Sequence, residues 1–191
     1  MREAFNAISG VSAMSCDLAP CTDGRTDYHI VGDVLDHLND GWDLGIFHPD
    51  CTYLCSSGMH WTTRGFRDPK LTEEAIAFAE KLWAAPIHRI AIENPIGALS
   101  TRSKLGKPTQ IIQPWMFGDD ASKATCLWLK NLPPLRPTKL IGPRLVNGRK
   151  RWSNQTDSGQ NKLPPSKDRW LKRATTYPGI AMAMADQWTT L

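Results

Sequence analysis

The sequence predicts an α/β protein built on a mostly parallel sheet. Strand and helix patterns alternate through its first half, at spacings typical of strand–helix–strand units. The chain has 191 residues, a length that suits one α/β domain. Polar residues follow three of the predicted strands, and such sheets bind ligands beyond the carboxyl ends of their strands. We therefore expect the chemistry of this protein at one edge of the sheet.

The elements of the first half follow from hydrophobic periodicity. The longest helix is predicted over residues 72–84, capped by Thr72, because apolar residues recur on one of its faces. Short apolar runs bounded by polar or glycine residues indicate strands. The remaining predicted elements are a helix over 2–8, strands over 11–16, 29–31, 43–47 and 87–92, and a helical turn over 34–38.

The second half predicts fewer regular elements. Two strands are expected over 110–117 and 125–129, and residues 133–168 are rich in Pro, Gly, Asn, Ser and Arg, which is typical of a long functional loop. A closing helix over 177–188 places Ile180, Met184 and Trp188 on one face. We therefore divide the chain into a core over 1–132, a basic loop-rich insertion over 133–175 and a closing helix over 176–191.

Charge is distributed unequally along the chain. The whole sequence carries 23 Lys and Arg against 19 Asp and Glu, but residues 1–99 have a net charge of −7 and residues 100–191 a net charge of +11. A basic half suits a polyanionic partner, of which nucleic acid is the first candidate. A solvated basic surface is the alternative interpretation.

Composition also predicts the compartment. The sequence has no run of 18 apolar residues, and its first residues lack the apolar segment of a signal peptide. Five cysteines, an odd number, suggest a reducing environment and no disulfide framework. We therefore expect a cytoplasmic protein with no membrane contact; its oligomeric state is not predicted.

The sharpest chemical candidates are Cys51, which follows one buried strand, and Glu93, which follows the next. A thiolate can attack an electron-poor carbon, while a nearby carboxyl can protonate the ring under attack. For a cytosine ring, sulfur adds to C6 and the acid engages N3, which makes C5 nucleophilic toward a methyl donor. A buried structural thiol is the alternative interpretation of Cys51.

Zinc binding is a competing hypothesis for the same segment. His48, Cys51, Cys55 and His60 are all zinc-ligand types and lie within thirteen residues. Their spacing does not match a common zinc finger, so we predict no metal.

Two further groups of residues suggest binding. Asp17 follows a predicted strand and Asp33 follows the next, as expected of carboxylates that bind the hydroxyls of a nucleoside cofactor. Loop or capping roles are the alternative for both. Trp61, Trp152 and Trp170 lie among basic and polar residues, which suits stacking on bases as well as ordinary surface packing.

Six motifs together resemble small cytosine-C5 DNA methyltransferase-like proteins of phages and prophages. Any one of them is weak, but their order and spacing extend over nearly the whole chain. They are HPDCTYLC at 48–55, IENPI at 92–96, QPW at 113–115, KATCLW at 123–128, NQTDSGQNK at 154–162 and TYPGI at 176–180.

The resemblance implies a Rossmann-like class I fold that binds S-adenosylmethionine. Cys51 matches the nucleophile and Glu93 the acid; Asp17 would bind the ribose, Asp33 would face the adenine, and His48 would also line the cofactor site. The basic part would contact DNA with the target cytosine flipped out of the helix. The expected substrate-binding residues are Thr52, Asn94, Lys123, Arg149, Arg151, Asn154, Gln155, Gln160, Asn161 and Lys162.

The sequence departs from this family in three places. Asp50 stands where the family has proline before the cysteine, and Pro95 stands where it commonly has valine. The family also has a strand and a glycine-containing loop before the helix that matches residues 2–8. Losing them would remove the centre of the sheet and the loop that holds the methionine end of the cofactor. We therefore expect either that the true start lies upstream or that this version binds the cofactor poorly.

Two functions follow as expectations. The first is methyl transfer from S-adenosylmethionine to C5 of cytosine in DNA through a covalent adduct between Cys51 and C6. The second is a catalytically impaired remnant of such an enzyme that still binds nucleic acid. A variant of the first is an enzyme that acts on free cytosine nucleotides.

Overall fold

The computed structural model describes residues 1–167 and 169–190, with the side chain of Trp170 left aside. The chain divides into two compact units. The sheet unit, as we call it, comprises residues 14–112 and 124–134, and the basic unit comprises residues 1–13, 113–123 and 135–191. No helix among the described residues is both long and apolar enough to cross a membrane.

The sheet unit contains six strands and three helices. The strands are β1 (Ser15–Asp17), β2 (His29–Val31), β3 (Leu44–Phe47), β4 (Arg89–Pro95), β5 (Gln110–Ile112) and β6 (Thr125–Lys130). The four-stranded sheet of this unit has the order β3-β4-β6-β5, and β1 pairs with β2 in a separate two-stranded sheet. The helices are α2 (Ser56–Thr63), α3 (Pro69–Trp83) and α4 (Leu99–Arg102).

The four-stranded sheet is mixed. Strands β3 and β4 are parallel, but β6 runs antiparallel to both of its neighbours, β4 and β5. Strands β1 and β2 are parallel to each other. The prediction of an α/β protein is therefore confirmed. The alternation of elements also led us to expect a mostly parallel sheet, but the four-stranded sheet is mixed.

Strand β4 forms the centre of the core. Ile90, Ala91 and Ile92 are fully buried on both faces of the strand, as expected of a strand with neighbours on both sides and cover above and below. The apolar cluster around it includes Leu54 before α2 and Trp128 on β6. The strand continues to Pro95, so Glu93 and Asn94 belong to it and do not follow it.

Helix α3 begins earlier than predicted. Asp68 is its N-cap and accepts a hydrogen bond from the amide of Lys70 at 2.9 Å, while Pro69 occupies the first helical position. The predicted cap, Thr72, lies inside the helix and is fully buried, and its hydroxyl donates to the carbonyl of Tyr53 at 3.3 Å. An Asp-Pro pair is the stronger start signal because it supplies both the acceptor and the preset φ angle.

The described residues of the basic unit form three α-helices and a hairpin. Helix α6 (Pro178–Thr189) buries Ile180, Met184 and Trp188, which confirms the stripe predicted from sequence. Helix α1 (Arg2–Asn6) packs against α6. The remaining elements are strands β7 (Arg144–Val146) and β8 (Arg149–Arg151), helix α5 (Arg169–Ala174) and a 3-10 turn over Pro114–Met116.

The β7–β8 hairpin lies in the segment predicted as a long loop. Asn147 and Gly148 both have positive φ angles, 49° and 73°, and join two antiparallel strands through a two-residue turn. Asn-Gly is a strong hairpin signal because both residues tolerate this backbone conformation. That dipeptide was the signal available in the sequence, and the lack of hydrophobic periodicity around it obscured the hairpin.

Candidate functional site

His48 and Glu93 meet at the carboxyl ends of β3 and β4. Phe47 pairs with Ile92 in the parallel register, so the residues that follow them, His48 and Glu93, lie side by side. Nδ1 of His48 lies 2.8 Å from Oε2 of Glu93, whose side chain is only 17% exposed. The sheet edge predicted from sequence therefore brings this histidine and this carboxyl together.

Asn94 positions the loop that carries the cysteine. Its side chain is 1% exposed, and its Nδ2 donates to the carbonyl of Pro49 at 2.8 Å. Among the described residues, nothing hydrogen-bonds the buried Oδ1 of this amide. Its predicted contact with substrate stays a prediction; the observed contact fixes the loop two residues before Cys51.

Asp50 closes the turn at Cys51. One carboxylate oxygen of Asp50 accepts hydrogen bonds from the amide of Thr52 at 2.9 Å and from its hydroxyl at 2.7 Å. The carbonyl of Cys51 accepts from the amides of Leu54 and Cys55. These local bonds order the half-buried Cys51 within its turn.

Arg67 brings a positive charge to this turn. Its Nη1 donates to the carbonyl of Thr52 at 3.0 Å, and its guanidinium lies 5.3 Å from the ring centroid of Tyr53. The sequence did not point to this residue, because its sixteen-residue separation from Cys51 carries no periodic or motif signal. The contact places a cation against the backbone of the Cys51 turn, in a half of the chain whose net charge is −7.

Two glycines permit the close packing that holds the turn. A Cβ atom at Gly58 would lie 2.1 Å from the carbonyl oxygen of Thr52, and one at Gly97 would lie 1.9 Å from that of Leu54. The segment after β4 also donates from the amide of Ala98 to Leu54 at 2.7 Å. The Cys51 turn is thus clamped between α2 and the residues that follow Glu93 and Asn94.

Asp17 and Asp33 lie at one end of the β1–β2 pair. Each carboxylate accepts a hydrogen bond from the backbone two residues on, at Ala19 and Leu35, both at 2.9 Å. Burial raises the pKa of the neighbouring Cys16 thiol, and the negative charges of Asp17, Asp33 and Asp36 raise it further. Two of the three predicted cofactor residues, Asp17 and Asp33, therefore lie close to each other. The third, His48, bonds to Glu93 instead.

Cys126 on β6 is a thiol close to Glu93. It is 1% exposed and pairs with Asn94 across the antiparallel ladder. Burial raises the pKa of this thiol, the charge of Glu93 adds to the rise, and a hydrogen bond with Ser100 opposes it. This cysteine is thus held neutral, as is usual for a structural thiol.

The predicted DNA contacts of the hairpin lie around one cleft. A cleft of about 450 Å³ is lined by Val146, Asn147, Arg149, Arg151, Asp157 and Ser158. Nε of Arg151 donates to the carbonyl of Asp157 at 3.0 Å, and Nη1 of Arg144 lies 2.6 Å from the carboxylate of Asp157. The hydrogen bond and the charge of Arg144 lower the pKa of Asp157.

The other predicted substrate residues of the basic unit divide into two groups. Arg149, Gln160 and Lys162 are exposed. The side chains of Asn154, Gln155 and Asn161, of which Asn161 is also exposed, bond to backbone groups, Asn154 to the amide and carbonyl of Ser122 at 2.9 and 3.0 Å. The Lys123 ammonium donates to the carbonyl of Arg173 at 3.0 Å. Their binding to substrate stays a prediction.

The three tryptophans proposed for base stacking differ in their surroundings. Trp152 stacks on Trp115, with ring centroids 5.5 Å apart and planes inclined by 16°, and its indole nitrogen donates to Ile141. Trp61 is 48% exposed. The side chain of Trp170 lies outside the described part of the structure. Packing thus accounts for Trp152, and Trp61 retains an accessible ring.

The zinc alternative gains no support from the geometry. Within residues 1–167 and 169–190, no three His, Cys, Asp or Glu side chains form a group that could hold a metal ion. Cys55 instead caps α2, its sulfur accepting from the amide of Gly58 at 3.3 Å. His48 bonds to the carboxyl of Glu93, which does not belong to the zinc set.

In comparison with known proteins, the chain matches no protein-family model and no curated protein, so the family resemblance rests on the sequence motifs alone.

Proposed function

We propose that this protein transfers a methyl group from S-adenosylmethionine to C5 of cytosine in DNA. The observation that carries the proposal is the Glu93–His48 hydrogen bond beside the clamped Cys51 turn. A nucleophile in the turn after one strand and a carboxyl on the last part of its parallel neighbour can act on one planar ring together. The motifs at residues 48–55 and 92–96 favour cytosine as that ring.

The sheet arrangement is compatible with the proposed class I methyltransferase fold. The pair β1–β2 and the sheet β3-β4-β6-β5 carry their polar residues at carboxyl ends of parallel strands. Polar residues at the carboxyl ends of parallel strands are the feature of this arrangement that supports the proposed fold.

The proposed chemistry uses three side chains. The Cys51 thiolate forms a bond to C6 of the cytosine while Glu93 donates a proton to N3, so that electron density collects at C5. His48 holds the Glu93 carboxyl in place through Nδ1. After C5 has gained the methyl group, a base removes the C5 proton and the Cys51–C6 bond breaks, which regenerates the thiolate. N3 returns its proton to Glu93, so that the acid is ready for the next cycle.

The residues present fit the nucleoside end of the cofactor. Asp17 and Asp33 are exposed carboxylates at one end of adjacent parallel strands, where ribose hydroxyls are bound in sheets of this kind. Each uses one oxygen to cap its own turn, which orients the carboxylate. When bound, S-adenosylmethionine supplies the methyl group.

A non-enzymatic nucleic-acid-binding protein is the second candidate. The observation that favours it is the cationic cleft of the hairpin, which is built within the basic unit without any residue of the Cys51 turn. This candidate predicts salt-sensitive DNA binding together with no calorimetric signal for S-adenosylmethionine. Cofactor binding at micromolar concentration would contradict it.

The two candidates are separated by methyl transfer with matched cysteine variants. Purified protein is incubated with duplex DNA and labelled S-adenosylmethionine. We expect Cys51→Ser to abolish incorporation and Glu93→Gln to slow it roughly 10²–10⁴-fold, while Cys21→Ser, a half-buried cysteine outside this site, leaves it unchanged. Equal incorporation by the wild type and Cys51→Ser would rule out the enzyme.

A covalent trap provides a second readout of the same proposal. DNA that contains 5-fluorocytosine has no C5 proton to lose, so a Cys51–C6 adduct would persist after methylation. We expect a protein–DNA band stable to denaturation with the wild type and none with Cys51→Ser. Parallel reactions with cytidine nucleotides alone distinguish a DNA substrate from a free nucleotide.

A further inference from the structure

An exposed aromatic surface lies at the end of the helix that follows the Cys51 turn. Helix α2 ends at Thr63, and Trp61 and Phe66 around its C-terminus are 48% and 69% exposed. The side chain of Arg64 is exposed between them. We call Trp61, Arg64 and Phe66 the aromatic corner.

The backbone holds the aromatic corner in a defined geometry. Gly65 has a φ angle of 76°, its amide donates to Thr62 at 3.0 Å, and the amide of Phe66 donates to Trp61 at 3.0 Å. This pair of bonds is a Schellman motif, which commonly brings an apolar contact with it. The two ring centroids are accordingly 5.6 Å apart, with planes inclined by 67°.

The Schellman contact explains why the two rings touch, but not why both are large and aromatic. A leucine or alanine pair would close the motif and would expose less apolar surface. Two inclined rings that remain open to solvent present faces on which flat ligands can stack. The corner thus carries more aromatic surface than its helix end requires.

The local charge indicates the chemistry of the ligand. The segment between Asp50 and Asp68, whose carboxylates close local turns, contains Arg64 and Arg67 and no acidic residue, although residues 1–99 carry a net charge of −7. Arg67 is directed toward the Cys51 turn by its bond to Thr52. Aromatic faces with interspersed arginines are typical of surfaces that bind unpaired nucleic-acid strands.

We propose that the aromatic corner binds single-stranded DNA by stacking Trp61 and Phe66 on unpaired bases, with Arg64 contacting a phosphate. The choice of DNA rests on the proposed function, since the corner directly follows the Cys51 turn in sequence. The stacking itself does not depend on methyl transfer.

The test compares strands with and without bases. Fluorescence anisotropy measures binding of a labelled oligothymidylate and of an abasic deoxyribose-phosphate strand of equal length. We expect the wild type to prefer the base-bearing strand about tenfold, because stacking contributes to binding only when a base is present. The double variant Trp61→Ala/Phe66→Ala should lose this preference and keep its dependence on salt concentration.

Two further variants keep the result interpretable. Tyr28→Ala removes another exposed aromatic ring from an acidic neighbourhood and should leave the preference unchanged. Trp61→Phe keeps a ring and should retain most of the preference even if the double variant unfolds. Thermal unfolding of each variant identifies a loss of fold.

The outcomes separate this proposal from the methyltransferase proposal. A base preference that depends on Trp61 and Phe66 supports stacking even if no methyl transfer is found. Equal affinity of the wild type for both strands, or an unchanged preference in the double variant, overturns stacking even if methyl transfer is found. If the aromatic corner instead binds a protein or a lipid surface, the wild type will show no preference for the base-bearing strand, and the stacking proposal is overturned.

Discussion

The polar residues around Cys51 act mainly by ordering one another. Asn94 anchors Pro49, Asp50 closes the turn over Thr52, and His48 bonds to Glu93. Each contact constrains a residue within three positions of Cys51, and the His48 contact also orients the Glu93 carboxyl. A reactive thiol and its acid must keep a fixed separation, so such contacts suit a catalytic site.

Asn94→Ala should test this positioning directly. The substitution leaves the carbonyl of Pro49 without its partner in a buried place, and such losses cost about 1–3 kcal/mol of unfolding free energy. Urea unfolding measures the loss, and Gln160→Ala, an exposed change, should stay within about 0.5 kcal/mol of the wild type. Equal stability of the two variants would show that the Pro49 contact does not hold the loop.

Two elements illustrate how local chemistry selects a conformation. Asp68 and Pro69 start α3 with an acceptor and a preset φ angle. Asn147 and Gly148 turn the basic hairpin through two left-handed residues. The hairpin places Arg149 beside the cleft on its surface, so its turn determines where this cation is presented.

Gly148→Ala should weaken the hairpin selectively. Its φ of 73° costs an alanine about 1 kcal/mol or more, while Gly142 lies outside the left-handed region with open space around it. Hydrogen exchange of the hairpin amides should therefore quicken about fivefold in Gly148→Ala and stay unchanged in Gly142→Ala. Equal exchange in both would show that the turn does not limit opening of the hairpin.

At the scale of the whole molecule, charge separates the two halves of the chain. The net charge of +11 over residues 100–191 includes the exposed Arg149 and Lys150 of the hairpin. The net charge of −7 over residues 1–99 includes Asp17 and Asp33 at the end of the β1–β2 pair. The division suits a protein that binds a polyanion through one part and a nucleoside through another.

The charge difference predicts salt-dependent DNA binding. Arg149→Glu/Lys150→Glu should weaken binding and reduce the slope of log affinity against log salt by about 0.9 for each phosphate that the variant no longer neutralises. Lys81→Glu, an exposed change on α3 in the acidic half, should have a smaller effect. Anisotropy titrations at several salt concentrations provide both quantities. An unchanged slope in the hairpin variant would place the phosphate-binding cations elsewhere.

The order of the elements was predictable because the signals are local. The apolar stripe of α6 at Ile180, Met184 and Trp188 repeats at the helical period, and short apolar runs indicate the positions of β3 and β4. The meeting of His48 with Glu93 was also predictable, because parallel neighbouring strands bring their carboxyl ends together. These conclusions need only the spacing of residues along the chain.

Only the tertiary structure decided the direction of β6, the hydrogen-bond partners of the polar side chains and the position of Arg67 against the Cys51 turn. Strand direction and hydrogen-bond partners depend on residues far apart in sequence: Asn94 meets Pro49 across 45 positions, and Asn154 meets Ser122 across 32. A buried polar group must find a partner wherever the fold supplies one, and that choice leaves no periodic trace. Spacing along the chain therefore predicts which residues are candidates, whereas long-range packing determines which of them meet.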